Sequence, residues 1–233
     1  MTEHEIHVAT PDGPFAAFVV EPAKSGPAPA IVVIQEIFGI NANIRSIARL
    51  YAAQGYLAIA PDLFWRQEPG IQLTDQSEAE WARAFELFKG FDVPKGVEDI
   101  QATINHIRKD PRCNGKVGAV GFCLGGLLAY LTAAHTDIDA SVGYYGVGIE
   151  TKLDDAKTIT KPLLLHIAAL DSYCPPAAQQ AISTAFAGSN LIQVQIHADV
   201  DHGFARIGGQ HYDKAATERA YGQTLDVFKK ALA

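Results

Sequence analysis

The hydrophobic positions of this chain form short apolar runs, and amphipathic segments alternate with them. Six mostly apolar runs have the length of strands buried on both faces: 30–34, 56–60, 116–120, 140–144, 162–167 and 191–196. Helical spacing predicts helices over 44–54, 77–89, 95–108, 124–134, 176–186 and 212–231. A further run, 15–20, indicates a strand at the edge of the sheet. Strands that alternate with helices predict a mostly parallel central sheet with helices on both faces.

One stretch carries residues suited to a chemical step, the sequence GFCLGG at residues 121–126. It joins a predicted strand to a predicted helix, so Cys123 occupies a strand-to-helix turn with glycines on both sides. A side chain at such a turn points towards the positive end of the helix, where a thiolate and an oxyanion are both favoured. The glycine spacing is not that of a dinucleotide-binding turn. The pattern predicts Cys123 as a nucleophile, with a buried structural cysteine as the alternative.

A cysteine nucleophile needs a base, and His202 is the candidate among the eight histidines. It lies in the loop between the last predicted strand and the last predicted helix, where α/β-hydrolases place their base. His166 and His197 lie in or beside predicted strands, so we interpret them as structural. His211 follows two glycines in a loop and has no clear partner in the sequence.

Asp171 is the candidate for the acid that orients the base, because it follows the apolar run 162–167. The order Cys123, Asp171, His202 is that of nucleophile, acid and base in α/β-hydrolases. A helix cap is the alternative role for Asp171. We interpret Asp199 and Asp201 as loop carboxylates that are solvated or tied to a nearby backbone turn.

Glu36 places an acid directly beyond the buried run 30–34. A carboxylate at that depth is costly unless it is paired or protonated. We therefore predict that Glu36 is a proton partner for Cys123. An acid at the start of the following helix is the alternative interpretation.

Charge and composition indicate which kinds of partner and cofactor the protein does not bind. The net charge is −7 and no cluster of Lys and Arg interrupts the acidic surface, which argues against nucleic acid. The three cysteines have neither metal-ligand nor CxxC spacing, and no cofactor motif is present, so we expect neither a metal nor a cofactor. Free cysteines fit a reducing compartment.

The chain carries no segment that predicts a membrane protein. Residues 117–134 are uncharged, but their four glycines and strand-like start argue against a span. The N-terminus is polar and acidic and does not indicate a signal peptide. We expect a cytoplasmic protein whose residues 1–233 form a single domain.

With these residues identified, the chain resembles the dienelactone hydrolase (carboxymethylenebutenolidase) family of the α/β-hydrolase fold over nearly its whole length. The blocks that carry the resemblance are QEIFG at 35–39, PDL at 61–63, NGKVG at 114–118, GFCLGG at 121–126, YYG at 144–146 and HGFAR at 202–206. The resemblance implies a triad of Cys123, His202 and Asp171. It also implies an oxyanion hole formed by the backbone N–H groups of Ile37 and Leu124.

The resemblance further implies a monomer that hydrolyses a small lactone. An enol-lactone such as dienelactone would be opened to maleylacetate through an acyl-enzyme on Cys123. Substrate would displace Glu36, which accepts the thiol proton, and His202 would then serve as the base for water. A catalytically idle binding protein of the same fold is the alternative class.

The substrate-binding positions depart from the family. Arg206 matches one of two anchoring arginines, whereas Trp81 occupies the position of the other and Phe85 that of a tyrosine. Arg83 faces a different side of its helix and is a doubtful replacement. A pocket with one arginine would be more apolar, so the alternative substrate is an uncharged or bulkier ester. The substrate contacts that we predict are Arg206, Trp81, Phe85, Phe38 and Tyr145.

Overall fold

The computed structural model describes residues Met1–Ala233, and the chain divides into two compact units, Met1–Ala119 and Val120–Ala233. The strands belong to an eight-stranded, mostly parallel sheet with helices, as the apolar runs predict. The assignment of residues 1–233 to one domain stays a prediction.

In the first unit, the strands run in the order β1-β2-β4-β3. The strands are β1 (Glu3–Thr10), β2 (Gly13–Val20), β3 (Ala28–Ile34) and β4 (Leu57–Pro61), and the helices are α1 (Ala42–Ala53), α2 (Glu78–Lys89) and α3 (Val93–Arg108). β2 pairs antiparallel with β1 and β4, and β3 and β4 pair in parallel.

The prediction of an edge strand at 15–20 is wrong, because β2 lies between β1 and β4. The edge strand at this end of the sheet is β1, which a search for apolar runs misses. Its residues alternate between exposed and covered positions, and only Val8 is fully buried. An edge strand with one solvated face reads as polar in sequence.

Side-chain caps set the starts of the three helices in this unit. The side chain of Asn41 accepts a hydrogen bond from the N–H of Ile44 at 3.2 Å, and that of Ser77 accepts from Glu80 at 3.3 Å. Asp92 accepts from Lys95 at 3.0 Å in the same way. Each cap satisfies a backbone donor that the first helical turn leaves unpaired, which fixes where the helix begins.

The second unit carries the parallel strands β6-β7-β8. β5 (Cys113–Phe122) runs from the first unit into the second; the other strands are β6 (Ala140–Tyr144), β7 (Leu163–Ala168) and β8 (Ile192–His197), and the helices are α4 (Leu124–His135), α5 (Pro176–Phe186) and α6 (Lys214–Ala231). Two short 3-10 helices, Ile149–Thr151 and Leu153–Thr158, were not predicted.

α4 explains the long uncharged stretch of the sequence. Every residue from Leu124 to Ala134 is buried, so the helix is apolar on all sides and lies within the core. None of the helices combines the length and hydropathy that a membrane crossing requires.

Candidate active site

Cys123 occupies a backbone conformation that its neighbours make possible. Its φ is +57°, and its N–H donates to the carbonyl of Tyr144 at 3.0 Å. A β-carbon on Gly121 would lie 1.8 Å from the carbonyl oxygen of Gly125, and one on Gly126 would lie 2.5 Å from that of Tyr144. The two glycines are therefore required for the turn that presents the thiol.

The start of α4 provides the electrostatic setting of Cys123. The residue is the N-cap of the helix, and its carbonyl accepts the N–H of Gly126 at 2.9 Å. A thiolate at a helix N-terminus interacts favourably with the positive end of the helix dipole. Leu124, the first helical residue, is fully buried.

The loops after β7 and β8 bring Asp171 and His202 together. The N–H of Leu170 donates to the carbonyl of Val200 at 3.0 Å and ties the loops side by side. Nδ1 of His202 lies 2.8 Å from Oδ2 of Asp171, and Oδ1 accepts the N–H of Tyr173 at 2.8 Å. Both acid and base are buried, so both oxygens of the acid have hydrogen-bond donors where water is excluded.

His202 also forms a side-chain hydrogen bond with Cys123. Burial disfavours the charged imidazole, but the negative charge of Cys123 and the hydrogen bonds to Asp171 and Cys123 outweigh it and raise the pKa of His202 to about 10. The partners of His202 thus favour its charged form, the imidazolium.

Two tyrosine rings flank His202. The ring of Tyr145 meets the imidazole edge-on at a centroid distance of 5.0 Å, and Tyr145 has a φ of +38°. Tyr173 meets the imidazole at 4.9 Å and remains 45% exposed. Burial and then the charge of Cys123 raise the pKa of the Tyr173 hydroxyl. No sequence motif singles out Tyr173, although it follows the predicted acid Asp171 by only two residues.

Arg206 is buried and lies against Gly203. A β-carbon at position 203 would stand 3.3 Å from the guanidinium, and Gly203 has a φ of +79°. A serine there would need both a strained backbone and a displaced Arg206. The glycine at position 203 therefore leaves room for the present placement of Arg206.

The first unit holds Glu36, Ile37 and Phe38 directly after β3. Glu36 is fully buried, and Ile37 and Phe38 are buried beside it in sequence. The side chain of Gln35 donates to the carbonyl of Glu36 at 3.4 Å and accepts the N–H of Leu63 at 3.0 Å. These bonds fix the segment that carries the predicted proton partner and oxyanion donor.

Trp81 is part of an aromatic cluster in the first unit. Its ring meets Phe38 edge-on at 5.0 Å and stacks on Phe85 at 5.6 Å. The indole N–H donates to the carbonyl of Asp75 at 3.1 Å, so its polar atom is already bonded. Arg83 instead pairs with two surface carboxylates, those of Glu68 and Glu86.

The predicted residues therefore fall into two groups. Within the second unit, hydrogen bonds join Cys123, His202 and Asp171, and Tyr145 packs on His202. Within the first unit, ring contacts join Phe38, Trp81 and Phe85. No group of three or more His, Cys, Asp or Glu side chains is placed to hold a metal ion.

The interpretation of His166 and His197 as structural agrees with their burial in the second unit. Nδ1 of His166 lies 3.0 Å from Nε2 of His197, and Nε2 of His166 lies 3.1 Å from the hydroxyl of Thr224. That hydroxyl is 2.7 Å from the hydroxyl of Tyr144. Burial and then the charge of His197 lower the pKa of His166 to about 3.

His211, for which the sequence shows no clear partner, has one in the structure. Its Nδ1 lies 3.1 Å from the carbonyl oxygen of His202, and the loop between them brings residues nine positions apart into contact. Asp201 is tied to a nearby backbone group, as one of its two predicted roles requires: its Oδ1 accepts the N–H of His202 at 2.6 Å.

The dienelactone hydrolase family model matches residues 15–232. Two curated relatives, the carboxymethylenebutenolidases of Pseudomonas putida and Pseudomonas knackmussii, are each 41% identical over 227 residues, which is 97% of this chain and 96% of theirs. The chain belongs to the dienelactone hydrolase family. It is accordingly a hydrolase, and the family resemblance drawn from the sequence blocks is confirmed.

Solved structures confirm the fold. A dienelactone hydrolase-like promiscuous phosphotriesterase from metagenomic libraries superposes with a TM-score of 0.83 at 24% identity, covering 99% of this chain and 98% of that one. The predicted α/β-hydrolase fold, with its mostly parallel sheet, is thus the fold of this family member.

Proposed function

We propose that this hydrolase opens an enol-lactone such as dienelactone (4-carboxymethylenebut-2-en-4-olide) to maleylacetate through an acyl-enzyme on Cys123. The observation that carries the proposal is the hydrogen-bonded series of Cys123, His202 and Asp171. The names of the two Pseudomonas relatives support the substrate class.

In this mechanism the Cys123 thiolate forms a bond to the lactone carbonyl carbon. The ring C–O bond then breaks, and the ring oxygen leaves as an enolate that takes a proton from the His202 imidazolium. Water next adds to the thioester carbonyl while neutral His202 accepts its proton. The C–S bond breaks, the thiolate returns, and one water has been added overall.

The acid and base suit these steps. Asp171 holds the imidazole through Nδ1, and the raised pKa of His202 keeps the imidazolium available beside the thiolate. A thiolate expels an enolate readily, whereas a poorer leaving group favours return of the thiolate. We therefore expect simple amides to be poor substrates.

The family resemblance supplies the remaining roles. Glu36 accepts the thiol proton when substrate binds, which limits reactivity of the resting enzyme. The backbone N–H groups of Ile37 and Leu124 stabilise the oxyanion. The proposal includes Arg206 as the anchor of the substrate carboxylate and a monomer that needs no cofactor.

A second candidate is an esterase or lactonase for an uncharged or bulkier substrate. The aromatic cluster of Phe38, Trp81 and Phe85 favours it, because its rings pack on one another at a position where a carboxylate anchor is expected. The engaged indole N–H of Trp81 leaves an apolar face rather than a charge.

Steady-state kinetics with dienelactone and with its methyl ester test both candidates. The first predicts higher kcat/KM for the free acid, and the second predicts higher kcat/KM for the ester. Cys123→Ala removes the nucleophile with little loss of packing, so it should abolish turnover of either substrate while circular dichroism stays unchanged. A variant that kept more than about one hundredth of the wild-type kcat would overturn the assignment of Cys123.

Trp81→Arg tests whether this position faces substrate. We expect KM for dienelactone to fall about tenfold, equivalent to about 1.4 kcal/mol, and the gain to shrink at high salt. Activity on the methyl ester should be unchanged or lower, because the apolar contact is lost. Trp81→Gln is the matched control, since it removes the indole without adding charge. A KM equal to wild type across a salt series would assign Trp81 to packing alone.

A further inference from the structure

The main chain of His202 is held on both sides by side chains that the proposed mechanism does not use. Oδ1 of Asp201 accepts the N–H of His202 at 2.6 Å, and Nδ1 of His211 donates to its carbonyl at 3.1 Å. We propose that Asp201 and His211 form a backbone clamp, and that His211 is a positioning residue for the imidazole of His202. This inference rests on the proposed function.

The loop returns to His202 because of contacts at the start of α6. The carbonyl of Phe204 accepts the N–H of Asp213 at 2.9 Å and the hydroxyl of Thr217 at 2.9 Å. Asp213 is also the N-cap of α6, where its side chain accepts the N–H of Ala216 at 2.7 Å. The helix start thus anchors the end of the loop, and His211 lies two residues before that anchor.

The contact determines which ring nitrogen of His211 carries a hydrogen. A carbonyl can only accept, so Nδ1 of His211 carries the hydrogen in this arrangement. Oδ2 of Asp201 lies 3.8 Å from the same nitrogen. The side chains of His211 and Asp201 are 51% and 37% exposed, in contrast to buried Asp171.

The clamp acts on the peptide that precedes a glycine. The carbonyl of His202 belongs to the peptide that enters Gly203, whose φ is +79°. Glycine restricts backbone rotation less than any other residue, so the His211 bond adds a constraint to those that the turn's own backbone bonds supply. The imidazole must reach both Asp171 and Cys123, and a small rotation of its main chain would lengthen one of these contacts.

His211→Ala tests the clamp by steady-state kinetics. We expect kcat on the preferred substrate to fall about tenfold and KM to change less than about twofold, because the binding residues are untouched. His211→Asn places an uncharged donor near the position of Nδ1, and it should restore kcat to within about threefold of wild type. A kcat for His211→Ala within about twofold of wild type, or an Asn variant equal to the Ala variant, would overturn the proposal.

His135→Ala is the matched control. His135 is similarly exposed and has its own carboxylate partner, Asp155 at 2.9 Å, but it lies at the end of α4 away from the clamp loop in sequence. This variant removes a surface His–Asp pair without touching His202, and we expect wild-type kinetics. A loss equal to that of His211→Ala would assign the effect to general surface electrostatics and contradict the clamp.

A substrate-independent measurement separates the two hypotheses. The rate of Cys123 alkylation by iodoacetamide at pH 7 reports on the pairing of Cys123 with His202, and the other cysteines are buried with raised pKa values. His211→Ala should change this rate about fivefold or more, and His211→Asn should restore it. If wild-type protein turned over neither lactone nor ester, the proposed function would fail, while unchanged alkylation rates would refute the clamp by themselves.

Discussion

Two histidine centres in the second unit are both buried, yet the pKa values of their imidazoles are shifted in opposite directions. The pKa of His202 is raised to about 10, whereas that of His166 is lowered to about 3. Burial disfavours the imidazolium in both cases. His202 faces a carboxylate and a cysteine that can carry negative charge, but His166 faces a second imidazole and a hydroxyl. The partner, rather than the depth of burial, decides which form of histidine the fold holds.

Of the predictions in this comparison, Cys123→Ser should have the largest effect. It alters the charged centre, which consists of His202 with Asp171 and Cys123. A serine hydroxyl stays neutral, so the negative charge that favours the His202 imidazolium is lost, and the pKa of His202 should fall below its present value of about 10. Lactone hydrolysis should fall at least about a hundredfold, although serine is the usual nucleophile of this fold. Steady-state kinetics measures the change in kcat, and NMR titration of the His202 imidazole measures the change in its pKa. Wild-type turnover by the serine variant would show that a thiolate is not needed.

Lowering the pH tests the neutral centre, which consists of His166 with His197 and Thr224. Unfolded His166 binds a proton near pH 6.5, while the native residue stays neutral down to about pH 3. The unfolded state therefore takes up an extra proton between these values, and the free energy of unfolding falls as pH falls. The contribution of His166 should amount to about 2 kcal/mol between pH 7 and pH 5.

Urea unfolding of wild type and His166→Asn over this range checks the prediction. The variant keeps every carboxylate and His197, so the difference between the two slopes reports the loss of the His166 imidazole. We expect the Asn variant to be less stable at pH 7 but less sensitive to acid. Parallel slopes would show that His166 is not held neutral.

Thr224→Val gives the smallest effect and tests whether the neutral centre serves the fold alone. The substitution keeps the shape of the side chain but leaves the hydroxyl of Tyr144 and Nε2 of His166 without their shared partner. We expect a loss of about 1–2 kcal/mol in the free energy of unfolding and an unchanged kcat. A lower kcat in a fully folded variant would show that the neutral centre also influences the charged centre.

The residues of the charged centre could be predicted from the sequence, whereas the contacts that hold the main chain of His202 could not. The nucleophile turn is local, because Gly121 and Gly126 flank Cys123 within one strand-to-helix connection. Asp171 and His202 follow from chain order, since parallel strands end at the same edge of a sheet. These features need no knowledge of side-chain packing.

The clamp and the edge strand β1 could not be predicted from local sequence, because both follow from how distant segments pack. His211 reaches His202 across a loop whose end is held by the bond between Phe204 and Asp213, a contact that no local pattern predicts. β1 is polar on its exposed positions and escaped a search for apolar runs. The pairing of His166 with His197 likewise follows from the register of β7 and β8, although their structural role was predicted.

The glycines around Cys123 affect how any mutational survey of this protein must be interpreted. A side chain at Gly121 collides with backbone rather than with a movable side chain, so substitution there removes folded protein instead of one reaction step. Replacing Cys123 leaves the same turn intact. A survey that scores only product formation would rank the two positions as equals. One that also scores soluble yield would separate the residue that performs chemistry from the residue that makes room for it.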